Sequence, residues 1–428
     1  MKRGVKGFSC VVLAGLACIL AYPQGVLGAG FALYETGARA NSLGSAMVGR
    51  ADDPSAIFFN PAGITQLPGF QVMGGAIVIA PGTTVTTSHP GIGETSNSTD
   101  GHIWFPPHLY ATYQINNHLW LGFGMFSPFG LGTEFDGDWP GRFNSYRVII
   151  ETLNINPNIA WKINDEWSVA AGFNAMWFNL DLRNKIDPIR TGNNPRNLFN
   201  VDQRLEGDSW GFGGNVGVRY QPLDWLAFGA SYRSRVKQTV EGRADFARPR
   251  QLRRTPFFRD TDATGSIVLP DELFLGVTFY PSKVWSIELG AFWTNWSTFD
   301  ELTIHYKNAI APGVDSATRE KNWTDVWRIH GGVEYKVCDW LDLRTGYEYD
   351  MEPIPDDHAD YLVPANDRHL FAFGPGLHWG PWNFDLSYMY LLITDRDVEA
   401  RQATDGVLDS KFRDGDAHLF GFSITRKF

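Results

Sequence analysis

Cysteine is almost missing from this chain: three in 428 residues, at Cys10, Cys18 and Cys338. Long apolar runs are missing too, because past the first thirty residues none reaches the length a membrane helix needs. Mean hydropathy is −0.21. Positive charge is the scarcer sign, with 37 Lys+Arg against 47 Asp+Glu and a net charge of −10, which excludes nucleic acid as a partner. The ten histidines are scattered and none falls in a Ser motif or a metal-ligand spacing. No catalytic residue, metal or cofactor is expected, and a barrel hydrolase with a Ser–His pair is the disfavoured rival. His330 and His369 read as structural.

The first residues read as a secretory signal. Lys2, Arg3 and Lys6 precede an apolar stretch from Val11 to Leu20, and Val26-Leu27-Gly28 offers a cut after Gly28. A lipoprotein cut before Cys18 competes less well, since Gly15 stands where leucine is usual. Without residues 1–28, Lys+Arg falls to 34 and the net charge becomes −13. Cys338 alone remains, so no intrachain disulfide forms. An exported chain of this size without disulfides needs another constraint. A closed sheet, with every backbone group paired, supplies one.

What the chain has instead is tryptophan at regular places. Short polar turns precede Trp120, Trp167, Trp225, Trp285, Trp340 and Trp382, and each opens an alternating stretch. Between these turns lie longer loops rich in Gly and Pro. Short turns at one end, long loops at the other and an aromatic girdle describe an outer-membrane β-barrel. A soluble all-β protein would not place Trp at one end of successive hairpins.

Alternation is clear in Leu341–Tyr349, in Trp327–Val337, in Phe212–Tyr220 and in the last segment, where Phe420, Phe422, Ile424 and Phe428 oppose Gly421, Ser423, Thr425 and Lys427. Charged partners belong in the lumen, because a basic residue facing lipid costs about 2–4 kcal/mol at the midplane. Arg219, Arg328, Glu334, Lys336, Arg344 and Glu348 are thus expected to form an inner ion-pair network. Fourteen strands are predicted near 70–80, 104–115, 118–128, 146–162, 167–183, 208–221, 225–246, 263–280, 284–306, 320–337, 341–352, 367–379, 382–400 and 412–428. The fold class is an all-β, fourteen-stranded antiparallel transmembrane barrel. Residues 29–69, with Asp52-Asp53-Pro54 and Asn60-Pro61-Ala62-Gly63 as turn or cap signals, are a plug of short helices and turns, and 70–428 is the barrel. Asp136-Gly137-Asp138 and Asp414-Gly415-Asp416 are loop turns rather than calcium loops.

Several segments, in order, resemble the FadL-type outer-membrane transporters of long-chain fatty acids and aromatic hydrocarbons. They are Ala29-Gly30-Phe31, Asp53 to Ala62, Ser127 to Glu134 with Trp139 and Gly141-Arg142-Phe143, Trp293 to Ser297 with Phe299 to Leu302, and Gly346 to Asp356 with Asp367-Arg368-His369. The resemblance implies passive uptake in the bacterial outer membrane. An apolar ligand is caught between outer loops, held in a lumenal pocket beside the N-terminus and released sideways through a gap at a kink in strand three. It implies Asn60, Pro61 and Ala62 as a hatch motif against that gap, with Gly122, Gly124 and Pro128 as the gate. Candidate pocket residues are Phe31, Phe126, Phe129, Trp177, Phe178, Phe292, Trp293 and Trp296. Arg183 stands where the family has a basic ligand contact, with Arg142, Lys321 and Arg328 as alternatives. The family's second basic contact is not matched, Thr324 standing near its place, which leaves neutral aromatic hydrocarbons open as ligands. Membrane lipid and lipopolysaccharide, and assembly machinery reading Phe428, are the other expected partners of a monomeric barrel. A non-specific porin would give no reason for the plug.

Overall fold

The structure, a computed structural model, describes residues 30–428. The signal peptide and its cut after Gly28 lie outside the described residues, and Cys338 is a free thiol. The wall is a closed antiparallel barrel of fourteen staves in chain order, the last strand (Asp409–Lys427) pairing with the first (Phe70–His89) from Lys427↔Gln71 outward. Consecutive staves pair all the way round, so the sheet closes on itself and its backbone is paired apart from a local break in the third stave. Several staves run past the bilayer. The fifth is Trp167–Ile186 and the sixth Val201–Leu223, and both continue outward as a paired flange.

Some predicted strands break for local reasons. The segment 284–306 divides at a 3-10 turn, Trp296–Thr298, leaving Trp285–Thr294 in the wall and Glu301–Tyr306 in the flange. The tenth stave begins at Val326 rather than 320. The seventh (Leu226–Arg233, then Val236–Ala247) and the eighth (Thr261–Leu269, then Glu272–Ser282) are each interrupted once.

Alternation sorts the faces as periodicity predicts. Phe212, Val216, Ile329, Leu343, Phe420 and Phe422 are exposed to the lipid side, whereas Asn215, Arg219, Arg328, Arg344, Glu348 and Ser423 are buried within. Trp167, Trp225, Trp285 and Trp340 stand exposed at the turn end, as a girdle requires. Trp120 departs from that pattern. It is buried, and its Nε1 donates to Leu67 O at 2.8 Å, so it holds the end of the inner segment instead of meeting lipid.

Residues 30–69 lie inside the barrel as α1 (Ala38–Ser42), α2 (Ala56–Phe59) and a 3-10 turn (Pro61–Gln66). They fit because the facing wall lacks side chains. Gly229 pairs with Gly276 across two staves, and Gly332 pairs with Gly346 across two more. A Cβ on Gly346 or Gly332 would run into the Leu43 backbone, and one on Gly229 into the Val48 carbonyl.

Charge and hydrogen bonding fasten what the glycines admit. Glu288 is fully buried and accepts from Val48 N–H at 2.6 Å, Arg50 N–H at 2.7 Å and the Thr278 hydroxyl at 2.6 Å. Arg39 of α1 donates to Glu334 at 2.9 Å and to Asp52 at 2.7 Å, and Arg344 joins Glu334 to Asp385 at 2.6 Å each. Arg328 pairs with Glu348 and Asp350 at 2.6 Å each, and Glu35 completes that site at 3.4 Å. Two residues expected in this network stand apart from it. Arg219 donates to Gly49 O at 2.9 Å and to Gln221, and Lys336 pairs with Asp339 at the turn.

Glu288→Leu removes three hydrogen-bond acceptances to a charged group, each worth about 1.5–3 kcal/mol. The variant is expected to stay a heat-modifiable barrel but to lose protease protection of residues 30–69 and to conduct more in planar bilayers. Unchanged conductance and protection would show that Glu288 does not fasten the inner segment.

Candidate functional site

The third stave runs Leu119–Phe126, stops, and resumes as Gly130–Glu134. Against the fourth stave, Phe126 pairs with Asn154 and Gly130 with Glu151. The third stave thus advances four residues while the fourth advances three. One extra residue is inserted at Ser127-Pro128-Phe129, a bulge at a position where Pro128 has no N–H to give. Up to Phe126 the strand pairs with the second stave (Pro107–Gln114); beyond it, Gly130–Glu134 pairs with the fourth stave alone. The wall is therefore interrupted beside the bulge.

The break accordingly starts after Phe126, and Gly122 and Gly124, expected at the gate, lie inside the fully paired part. They serve the inner segment. A methyl on Gly122 would sit 3.0 Å from Ile64 Cδ1, and one on Gly124 2.8 Å from Ile57 Cγ2. Asn60-Pro61-Ala62 is likewise displaced from its expected place. The Asn60 amide donates to Val48 O and to Val218 O of the sixth stave at 2.9 Å each, and its Oδ1 accepts from Ala62 N–H at 3.2 Å. Ile57 and Ile64, not this motif, face the third stave.

The N-terminal arm pairs with the bulge itself. Gly130 N–H donates to Phe31 O at 2.9 Å, and Leu33 N–H to Pro128 O at 2.8 Å. Phe31 turns into an apolar cavity, and Leu33 lies over Gly130 at the wall, with Cδ1 2.9 Å from where a Cβ would be.

That cavity holds about 780 Å³ of empty space including its mouth. Val148, Ile150, Phe178, Leu182, Leu205 and Val240 form much of its wall. Phe31 closes one end as part of an aromatic cage, 4.7 Å from Trp296, 6.1 Å from Phe129 and 5.8 Å from Trp323 between ring centroids. The cavity switches on along the fourth stave (Arg147–Lys162), whose inward positions read Val148, Ile150, Thr152, then Asn154, Asn156, Asn158. That change of chemistry on one face was present in the sequence as a signal for the pocket.

The predicted pocket residues divide. Phe31 and Phe178 line the cavity, and Phe129 and Trp296 build the cage beneath it. Phe126 and Phe292 are buried lower down, against Phe58 at 5.1 Å and Tyr34 at 5.0 Å. Trp177 and Trp293 are on the outward parity of their staves, as their buried neighbours Phe178 and Phe292 establish, so they do not reach the ligand space.

The basic candidates divide as well. Arg183 lies on the outward face, its Nη2 2.8 Å from Asp181, because Leu182 takes the inward position. Arg142 clamps outer loops by donating to Trp139 O at 2.9 Å and Pro195 O at 2.9 Å, and burial lowers its pKa. Arg328 is held in the ion network below. Lys321 is the one of the four that lines the cavity. Its Nζ donates to Asp360 at 2.5 Å, and both side chains are buried. Burial depresses the Lys321 pKa against the opposing pull of Asp360. Burial pushes the Asp360 carboxyl up, but the Lys321 ammonium outweighs it and holds the group below the ordinary range.

The outer-membrane transport protein family OMPP1/FadL/TodX matches this chain over residues 19–428. The long-chain fatty acid transport protein of Salmonella typhi is 27% identical over 368 residues, covering 81% of this chain and 83% of that protein. A 47 kDa outer membrane protein of Pasteurella multocida is 28% identical over 413 residues, covering 91% and 92%. Among solved structures, a Pseudomonas aeruginosa FadL homologue superposes with a TM-score of 0.81 at 19% identity, covering 94% of this chain and 100% of that one. The Pseudomonas putida toluene transporter TodX does so at 0.69 and 17%, covering 95% and 100%. At these identities the structural likeness is one of fold.

Trp296 is among the largest fully buried side chains. Trp296→Ala is expected to cost about 3–5 kcal/mol, the usual range for removing a buried Phe or Trp side chain. Trp177→Ala and Trp293→Ala, both losing outward-facing rings, should cost clearly less by calorimetry in detergent. Equal losses for all three would overturn the division of faces.

Proposed function

The chain belongs to the outer-membrane transport family OMPP1/FadL/TodX, and from that premise we propose that it carries long-chain fatty acids through the cavity behind Phe31 and releases them sideways at the bulge around Pro128. Its family moves hydrophobic compounds across the bacterial outer membrane and consists of transporters and channels, not enzymes. The observation that carries the finer reading is the arm Phe31–Leu33. One two-residue step spans from the cavity to the wall break, and it is bonded to both sides of the bulge.

An apolar enclosure with one buried cation suits a long acyl chain with a carboxylate head; the other cation of its lining, Arg243, is largely exposed and paired with Asp245. Lys321 is that cation. The carboxylate must compete with Asp360, which already holds the ammonium. This competition is the specific observation that favours the second reading, neutral aromatic hydrocarbons, for which the pair simply stays closed. The reading also takes the barrel as a monomer, embedded in outer-membrane lipid and lipopolysaccharide, with the exposed Phe428 ring as the assembly signal.

Two experiments test it. Lys321→Met should weaken oleate binding by on the order of 1.5–3 kcal/mol, the scale of a hydrogen bond to a charged group, and leave an alkane of equal length nearly unaffected. Equal affinity of wild type and variant for oleate would remove Lys321 as anchor and favour the hydrocarbon reading. Deleting Pro128 alone brings the whole third stave into one-to-one register with the fourth and keeps Leu131 facing inward. Oleate uptake by cells should then fall while binding in detergent survives. Undiminished uptake by the deletion variant would rule out sideways exit.

A further inference from the structure

The seam beside the bulge is filled by a side chain that belongs to neither flanking stave. Residues 99–106 descend between the first and third staves without forming a strand. Toward the first stave they are well held. Trp104 and Ile79 exchange N–H···O bonds at 2.9 Å each, Ile77 N–H donates to Pro106 O at 3.2 Å, and Thr99 N–H to Thr83 O at 3.0 Å. Toward the third stave, among the described residues, a single backbone bond crosses, from Asp100 N–H to Glu134 O at 2.8 Å. Below that bond the seam has no ladder, only side chains.

The filling is specific. The Trp104 indole lies against Gly132, so closely that a Cβ there would come within 2.0 Å of the indole Cζ2. Leu33 covers Gly130 two residues earlier. Both Trp104 and Leu33 pack against a second apolar cluster on the inward faces of the staves beyond, which includes Ile79, Leu391 and Leu419. One side of the indole therefore touches lumenal apolar surface and its edge meets the gap. Its Nε1 is buried with no hydrogen-bond partner. An orphaned donor is a cost that the closed position carries and that any swing toward water or a carboxylate would relieve.

We propose that Trp104 is the shutter of the side opening, with Gly132 as its seat and Leu33 as its backing. The inference rests on the sideways-exit reading. An apolar ligand leaving past Pro128 meets the indole before it meets lipid, so the position of the ring sets how fast the ligand escapes. Gly132 is needed because any side chain there would push the ring off the seam. Leu33 links the shutter to the arm that holds Phe31 in the cavity.

The test uses the full-length protein, oleate uptake into cells lacking another transporter, and oleate binding in detergent. Trp104→Ala and Gly132→Val, the first removing the ring and the second displacing it, should each raise the initial uptake rate several-fold with binding unchanged. Trp104→Phe, which keeps an aromatic plate, should stay near wild type. Adding the Pro128 deletion to Trp104→Ala should abolish the gain. If the deletion lowers uptake but Trp104→Ala and Gly132→Val behave as wild type, the shutter is wrong and sideways exit stands. Slower uptake by Trp104→Ala would make the ring a guide and also overturn the proposal. If the deletion has no effect on uptake, sideways exit fails and the shutter fails with it. Heat-modifiability on gels checks that each variant is a folded barrel, and Gly132→Val decides the question where Trp104→Ala does not fold.

Discussion

The inner segment can lie flush against the wall because a band of that wall has no side chains. Gly229 and Gly276 on one pair of staves, and Gly332 with Gly346 on another, let the backbone of residues 43–49 approach to contact. Everything else inside the barrel follows from that closeness. Once the chain is pressed in, its peptide groups have no water to meet and must bond to the wall. Glu288 and the Asn60 amide answer that need directly, and the Arg39, Arg344 and Arg328 networks neutralise the charges carried in with the segment. Such buried ion pairs are costly to break on one side only, which favours a single seated position.

Seating the segment also places the arm. With α1 and α2 fixed, Phe31–Leu33 is delivered to the bulge of the third stave, and it takes up hydrogen bonds which the bulge would otherwise leave open. The same short arm touches two places, with Phe31 in the cavity and Leu33 over Gly130 beside the bulge. A ligand that displaces Phe31 acts on a backbone whose next bond holds the bulge. Coupling of this kind needs no long pathway, since Ala32 alone separates Phe31 from Leu33.

Polarity is zoned by height along the inner face. The fourth stave carries asparagines beside the inner segment and aliphatic residues beside the cavity, on the same parity. Asn156 and Asn158 join Asn215 through hydrogen bonds of 2.8 and 2.9 Å, so the lower wall is polar and cross-linked, although the Asn154 and Asn156 amide oxygens keep no partner. The apolar cavity is thus a bounded chamber and not a continuous greasy pore. Lys321, paired with Asp360, is a buried charge set in its rim.

Much of this was legible in the residues alone. Period-two alternation assigned lipid and lumen faces, and turn chemistry counted fourteen staves, because a strand side chain has only two directions and each short turn reverses the chain. The motif around Ser127-Pro128-Phe129 marked the irregular stave. Other assignments needed the tertiary structure. Trp120 follows a turn like the other five tryptophans, but the end of the inner segment covers it, and no local pattern records that. Arg183, Trp177 and Trp293 were placed by analogy of position, and a single step of parity sent all three outward. Gly122 and Gly124 read as hinge residues, and their actual use is to receive Ile57 and Ile64 from a segment more than fifty residues earlier. Face and count are properties of one strand and its turns. Which glycine meets which side chain, and which cation meets the cavity, is decided only when the barrel closes and distant segments share the space inside.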